Sequence, residues 1–494
     1  MIRTRICLYV LLLTPLLVYW QAIFADYGFR DDYSHLRESR EEPGKLVKFT
    51  ASEGRPLKGA LLETSFSLAG EVSNLLWLRL ASVLMLTILG YSLWRQLYQS
   101  GWTEVEAAVI GLGVTLLPAA QVTAAWAVSW PHVLTLLLAL AGFSATETEL
   151  ERGGLKRLVA LLGGCLIYAL AGLVYQPDAL FAVVVIGAVM IVRTGREPMG
   201  DVKWSLLHLG TLLTGLAIGY FMVQMLFSNG LFHESPRMHF ETNPFTKLGW
   251  FLWNPVPNAL ALYALRDDFN TGAVVFWLVA VAVAGLIGYG YKLEAARNNP
   301  VMKKKWLVSL VLLPFLAHAV SLVAGERSTA YRVLFALSGL VIVLVMLALR
   351  SVLAGRKVKP AAYYAAVGAV MIVAAVSARH NAFALIAQPQ SEEWDMIRSA
   401  MGRMDFKKPT RVYVITPTLA DRLTVRVFQD EFGSLSSDSD WAPKEMFKAA
   451  LHDRFGGKLP AGGSYTFASG REAPKEQDYD LVIDMRKLRE RAAQ

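Results

Sequence analysis

Apolar stretches of roughly 20 residues, about the length a helix needs to cross a bilayer, recur along most of the chain. They lie near 7–24, 75–95, 105–120, 121–145, 156–175, 179–193, 204–228, 271–291, 306–324, 329–350 and 361–378. This pattern predicts an α-helical polytopic membrane protein with about eleven transmembrane helices. Pro118 and Pro131 interrupt the tandem pair 105–120 and 121–145, so one member of that pair is expected to be short or re-entrant. Two longer segments between runs, 25–74 and 229–270, are predicted loops. Beyond about residue 380 the composition turns soluble. There Arg411–Thr416 and Asp480–Asp484 predict short strands, and Ser391–Met404 predicts an amphipathic helix. The expected division is a membrane domain over 1–380 and a small α/β domain over 381–494.

The basic residues set the orientation. With the N-terminus in the cytoplasm, Arg3, Arg5, Arg95, Lys156, Arg193, Arg196, Lys303, Lys304, Arg350 and Arg356 all fall on inner segments. The short outer turns near 119–125, 175–178 and 325–328 contribute only Arg327, in agreement with the positive-inside rule. Both long loops and the tail are then extracytoplasmic, and chemistry is expected on that face. The same placement explains the net charge of +9, from 49 Lys and Arg against 40 Asp and Glu, without any nucleic-acid partner. A chain of 494 residues that is 54% hydrophobic and 18% charged is also no soluble enzyme. Two cysteines, Cys7 and Cys165, both in apolar runs, support neither a disulfide framework nor a thiolate metal site. The first run is read as a retained helix and not a cleaved leader.

Within the first outer loop, Asp31 and Asp32 form the most pointed feature of the chain. Adjacent carboxylates start turns and cap helices, but they also suit general-base work, one acid tuning or holding the other. Further along stands Gly54-Arg55-Pro56-Leu57, where Gly and Pro set a turn and Arg55 offers a guanidinium fork that matches phosphate oxygens. The alternative for Arg55 is an interfacial arginine reaching to lipid headgroups. Arg332 and Arg79 lie just inside predicted outer helix ends; an ion pair at the Glu326-Arg327 turn competes with a phosphate site for Arg332, and snorkelling is expected for Arg79. Tyr175, Gln176 and Asp178 stand at another outer turn, placed either to hydrogen-bond a sugar or to cap the helix after Pro177.

The second loop carries His233, Glu234, Arg237, His239 and Glu241, without a zinc-type spacing. Trp126, Trp130, Trp250 and Trp253 fall at outer interfaces, where an aromatic belt is the default and stacking on a sugar the alternative for the last two. Asp267-Asp268 is read as an interfacial turn.

Asp31-Asp32 followed by Gly54-Arg55-Pro56-Leu57, then Tyr175-Gln176-Pro177 and Arg332 within Ala330-Tyr331-Arg332-Val333, resembles the bacterial O-antigen glucosyltransferases of the type II serotype-converting group. The resemblance spans about residues 1–350 loosely. Tyr33-Ser34-His35 departs from the family's pattern, and Arg37 is the nearest substitute for its arginine. The resemblance implies a C-type membrane glycosyltransferase of the bacterial inner membrane. Such an enzyme moves a sugar from a polyprenyl-phosphate donor to a glycan or lipid-linked acceptor, with inversion. Carried onto this chain, Asp31 or Asp32 would be the base and the other its orienter. Arg55, Arg332 and Arg327 would hold the phosphate, and Tyr175, Gln176 and Asp178 the substrate. Mg²⁺ or Mn²⁺ beside the acids stays open, since the arginines can neutralise the same charge. The rivals are a transporter or flippase of lipid-linked glycans and a non-catalytic envelope assembly protein. The candidate charges cluster in loops at one face, which favours surface chemistry over a transport route.

Overall fold

The computed structural model describes residues 2–150, 152–193, 199–267, 273–297, 299–354, 359–418 and 428–488. Arg196, Arg356 and Asp268 lie outside the described residues, as does the side chain of Arg3. Among the described residues eight helices are long and apolar enough to cross a membrane, and a bent pair makes a ninth crossing if counted as one span.

The first span, α1 (Ile2–Phe24), leads into a loop that folds as three short helices: α2 (Asp31–Glu41), α3 (Lys45–Ser52) and α4 (Pro56–Ala69). Gly59 lets α3 and α4 cross closely, since a Cβ there would run into Thr50 Oγ1 and the backbone of Val47. The chain re-enters with α5 (Leu75–Gln99). Next come α6 (Glu104–Leu116) and α7 (Pro118–Ala125), bent by 53°. The bend has a steric cause: Pro118 disfavours helical geometry at the residue before it, and Leu117 takes ψ 153°. After an extended Trp126 the chain continues as α8 (Trp130–Leu150), α9 (Gly154–Ala179), α10 (Phe181–Val192) and α11 (Asp201–Ser228).

The second loop holds α12 (Pro244–Trp253) and α13 (Pro255–Leu260). Then follow α14 (Ala273–Ala296), the short helices α15 (Pro300–Val311), α16 (Leu313–Ala317) and α17 (Ala319–Val323), and α18 (Phe335–Leu353), which is apolar all round and runs through the centre of the bundle. The last apolar helix, α19 (Pro360–Ala382), continues through a π-helical turn at Phe383–Ala387 into α20 (Gln388–Gly402). The C-terminal segment adds β1 (Pro409–Ile415), α21 (Ala442–Phe455), β2 (Ser464–Gly470) and β3 (Leu481–Asp484), a three-stranded parallel sheet ordered β2-β1-β3. The two strands expected from sequence, near 411–416 and 480–484, are its centre and one edge.

The polytopic helical architecture stands, but eleven full spans do not. The 179–193 run is a single buried helix of 12 residues, only about 18 Å long at helical rise. The 306–324 run breaks into three helices at Leu312 and His318, with Pro314 unable to donate to the preceding turn. The helix expected at 391–404 is α20, joined to the last apolar helix through the π-helical turn.

Arg79 does not snorkel. It is fully buried, donating to the carbonyls of Ile23 and Ala25 and, at 2.9 Å, of Tyr27, with its guanidinium 4.1 Å from the centre of the Tyr27 ring. The carbonyls left open where α1 ends need donors, and in an apolar bundle a buried cation supplies them.

Candidate active site

The acid pair opens α2, and its two members have different surroundings. Asp32 is fully buried: one carboxylate oxygen accepts from the Phe29 N–H at 2.9 Å and the other from the Val128 N–H at 2.9 Å. It therefore pins the start of α2 to the break between α7 and α8. Phe29 against Trp126, with ring centres 5.0 Å apart, and the Trp126 indole donating to the Phe29 carbonyl complete that joint. Burial pushes Asp32 up to about 7 despite the two backbone donors. Asp31, one position earlier, is part-exposed and lines a cavity of about 960 Å³. It sits in the first helical turn, where the helix dipole favours a carboxylate.

Gly54-Arg55-Pro56 forms the turn between α3 and α4. Gly54 takes a φ of +76°, which suits glycine, and Pro56 occupies the first turn of α4, where its missing N–H costs nothing. Across the site Pro177 breaks the end of α9, and Tyr175 leaves helical geometry (ψ 105°). These two distant irregularities meet. Gln176 donates to the Gly54 carbonyl at 2.6 Å and accepts from Arg55 Nε at 3.3 Å, while the Arg55 guanidinium lies 4.6 Å from the centre of the Tyr175 ring. Glu53 anchors Arg55 at 3.3 Å and Arg237 of the second loop at 2.6 Å.

Lys58, in the first turn of α4 three residues after Arg55, stands 5.2 Å from the Tyr175 ring and 3.5 Å from His132 Nε2. The other nitrogen of that imidazole meets Asp178 at 2.8 Å, which orients the ring. Burial, then the charges of Arg55 and Arg332, push Lys58 down to about 7. Burial also pushes His35 on α2 down to about 4, so that imidazole is neutral near pH 7.

Of the residues expected from sequence, Asp31, Arg55, Arg332, Tyr175 and Gln176 share the cavity wall. Asp32 and Asp178 lie behind it as supports. Arg327 is not brought there: it is an exposed residue paired with Glu241 at 3.2 Å. Arg332 does pair, but with Glu431 and Asp430 of the C-terminal segment and not at the Glu326-Arg327 turn; its guanidinium lies 5.2 Å from the Trp126 ring centre. Arg37, the substitute arginine, is held by Glu42 and by Glu445. Trp250 and Trp253 pack on His318 and Trp277, away from the cavity.

Sequence reasoning missed Lys58, His132, Trp441 and Glu445, all in the wall. Only Lys58 had a local signal, its i,i+3 spacing from Arg55. An apolar side completes the cavity, built by Leu213, Leu216 and Val223 of α11 and by Val320 and Val323 of α17; Leu213 (52%) and Val323 (54%) continue it to the surface.

The arrangement brings the part-exposed Asp31 carboxylate, the cations Arg55, Lys58 and Arg332, and a greasy wall into one space. Among the described residues no group of three His, Cys, Asp or Glu side chains converges as metal ligands, and the second-loop histidines are no exception.

No family model matches the chain, and no curated protein matches it. Among solved structures it is similar to the archaeal oligosaccharyltransferase AglB from Archaeoglobus fulgidus in complex with an inhibitory peptide and a dolichol-phosphate. That likeness has 12% identity and a TM-score of 0.39 and covers 81% of this chain and 58% of the other. It is also similar to the Archaeoglobus fulgidus oligosaccharyltransferase complex with Zn and sulfate, at 11% identity and a TM-score of 0.41, over 92% of this chain and 62% of that one. The chain thus spans about 60% of the length of the solved structures it matches. Likeness at this level decides neither fold nor activity.

Proposed function

We propose that this protein is a membrane glycosyltransferase of the C-type class, moving a sugar from a polyprenyl-phosphate donor to a surface glycan on the extracytoplasmic face of the bacterial inner membrane. The N-terminus is cytoplasmic and the C-terminal domain external in this reading. The glucosyl group and an O-antigen acceptor are the specific choice the sequence resemblance favours. One observation carries the proposal: Asp31, the Arg55–Lys58 cation pair and an apolar wall reaching the surface share a single cavity.

The chemistry follows from those groups. The acceptor hydroxyl gives its proton to the Asp31 carboxylate as its oxygen forms a bond to the sugar's anomeric carbon. The bond from that carbon to the phosphate oxygen breaks, and polyprenyl phosphate leaves with the electron pair. Arg55, Lys58 and Arg332 stabilise the charge that develops there, in a site where low polarity strengthens each interaction. Leu213, Leu216 and Val323 accommodate the first isoprenoid units.

Purified protein in lipid vesicles, given a labelled polyprenyl-phosphate sugar and envelope glycan, should move label to the glycan. Cells lacking the protein should lose one glycan decoration and accumulate its lipid-phosphate donor. Loss of the decoration in cells, with no transfer by the purified protein, would support the transporter instead.

Lys58 also makes donor use depend on pH. Below about 7 it carries a charge for the phosphate, and above that it loses its proton in the free protein. The donor KM should therefore rise with pH above 7, by up to about tenfold per unit. Lys58→Arg, which keeps its charge, should flatten the profile. Identical profiles for both proteins would remove Lys58 from the phosphate site.

A further inference from the structure

The cavity has a wall that the donor chemistry leaves unused. Asp31, Ser34, His35 and Glu38 all line it, spaced i, i+3, i+4 and i+7 along α2, so one face of that helix is turned to the cavity. Opposite this face come two residues of the C-terminal segment, Trp441, just before α21, and Glu445, one turn later. Glu445 is held by Arg37 Nε at 2.6 Å and Lys448 at 3.2 Å. Glu38 is held by Lys45 at 3.0 Å. The Arg30 N–H donates to Ser436 Oγ at 2.9 Å, and Ser436 and Ser437 are gripped by the buried Glu393 of α20. The C-terminal segment is thus fastened to the start of α2, beside Asp31.

Trp441 differs from the other tryptophan of the wall. Trp126 is 5% exposed, packed on Phe29 and beneath Arg332, whereas Trp441 keeps 42% of its surface open. An open indole among carboxylates, a hydroxyl and a neutral imidazole presents one flat apolar face ringed by hydrogen-bonding groups. A sugar ring has the complementary surface: axial C–H groups on one face and hydroxyls around its rim. Glu38 and Glu445 already have cationic partners, so this part of the wall suits a neutral carbohydrate better than a phosphate.

We propose that the carbohydrate acceptor binds between this face of α2 and the Trp441–Glu445 edge of the C-terminal segment, one of its sugar rings stacked on Trp441. The inference rests on the transferase reading, with Asp31 as the base that the bound hydroxyl must reach. It makes the C-terminal segment the specificity-determining part of the protein, while the loop of α3 and α4 and the end of α9 serve the donor.

The test uses full-length protein in lipid nanodiscs and, as probe, neutral oligosaccharides released from the envelope of the producing cells. Transfer kinetics and calorimetric binding are measured for wild type, Trp441→Ala and Trp441→Phe. Trp441 is half-open, so both variants should fold. Expected for Trp441→Ala is an acceptor KM and a glycan dissociation constant each raised about tenfold, ~1.4 kcal/mol, with donor KM unchanged. Trp441→Phe, which retains a ring, should recover most of that loss. An acceptor KM unchanged in Trp441→Ala, or a fall in kcat alone, overturns the subsite and leaves the transferase reading intact. Glycan binding that depends on Trp441 in a protein showing no transfer leaves the subsite standing and overturns the transferase.

Discussion

Asp31→Asn should abolish transfer and leave a folded, membrane-inserted protein, whereas Asp32→Asn should chiefly cost stability. Removing a general base lowers the rate by about 10²–10⁴-fold, and an asparagine at position 31 keeps the shape without the proton acceptor. The change also removes one negative charge from the first turn of α2, worth only ~0.3–1 kcal/mol. At position 32 the balance reverses. Both carboxylate oxygens are in use, accepting from the N–H groups of Phe29 and Val128. An amide has one acceptor and one donor end, so one of those buried N–H groups would face another donor, at a cost of about 1–3 kcal/mol. The two variants separate in a paired measurement of melting temperature in detergent and transfer rate per folded molecule. Wild-type transfer by Asp31→Asn would remove the proposed base. A melting point unchanged in Asp32→Asn would mean that the joint between the first loop and the start of α8 is held by other groups.

Arg55→Lys should lower kcat/KM for the donor by about 10–100-fold while leaving the acceptor KM where it was. Lysine keeps the positive charge but loses the planar fork, and hydrogen bonds to a charged group are worth ~1.5–3 kcal/mol. The substitution also releases Gln176 Oε1, which accepts from Arg55 Nε. Gln176 acts through Arg55 as a positioning residue, so Gln176→Ala should reproduce only part of the donor defect and none of any acceptor defect. The measurement is initial rate against donor concentration at saturating acceptor. Unchanged donor dependence in Arg55→Lys would place the phosphate elsewhere, on other cations of the cavity such as Lys58 and Arg332.

Two of the resemblance-bearing motifs were legible because each is short and marks a break in the backbone. Gly54-Arg55-Pro56 and Tyr175-Gln176-Pro177 are local backbone irregularities written in Gly and Pro, and their residues converge on the same cavity. Which acid of the pair faces that cavity was not legible. Successive helical residues diverge by ~100°, and the inward one is chosen by the Val128 N–H, 96 residues away. Arg332 shows the same limit, since its acidic partners come from the C-terminal segment and not from its own turn. Trp441 and Glu445 belonged to a tail that neither motif nor resemblance reached.

The sequence by itself determined that this is a polytopic membrane protein with a small α/β appendix and a polar first loop, because partition between lipid and water acts on each residue where it stands and leaves a periodic trace. Only the tertiary structure decided how many runs become full spans, that Arg79 closes the end of α1, and that the C-terminal segment walls the site. Those outcomes depend on steric blocks at single prolines and on hydrogen bonds between residues dozens to hundreds of positions apart, for which no local pattern is required and none was written.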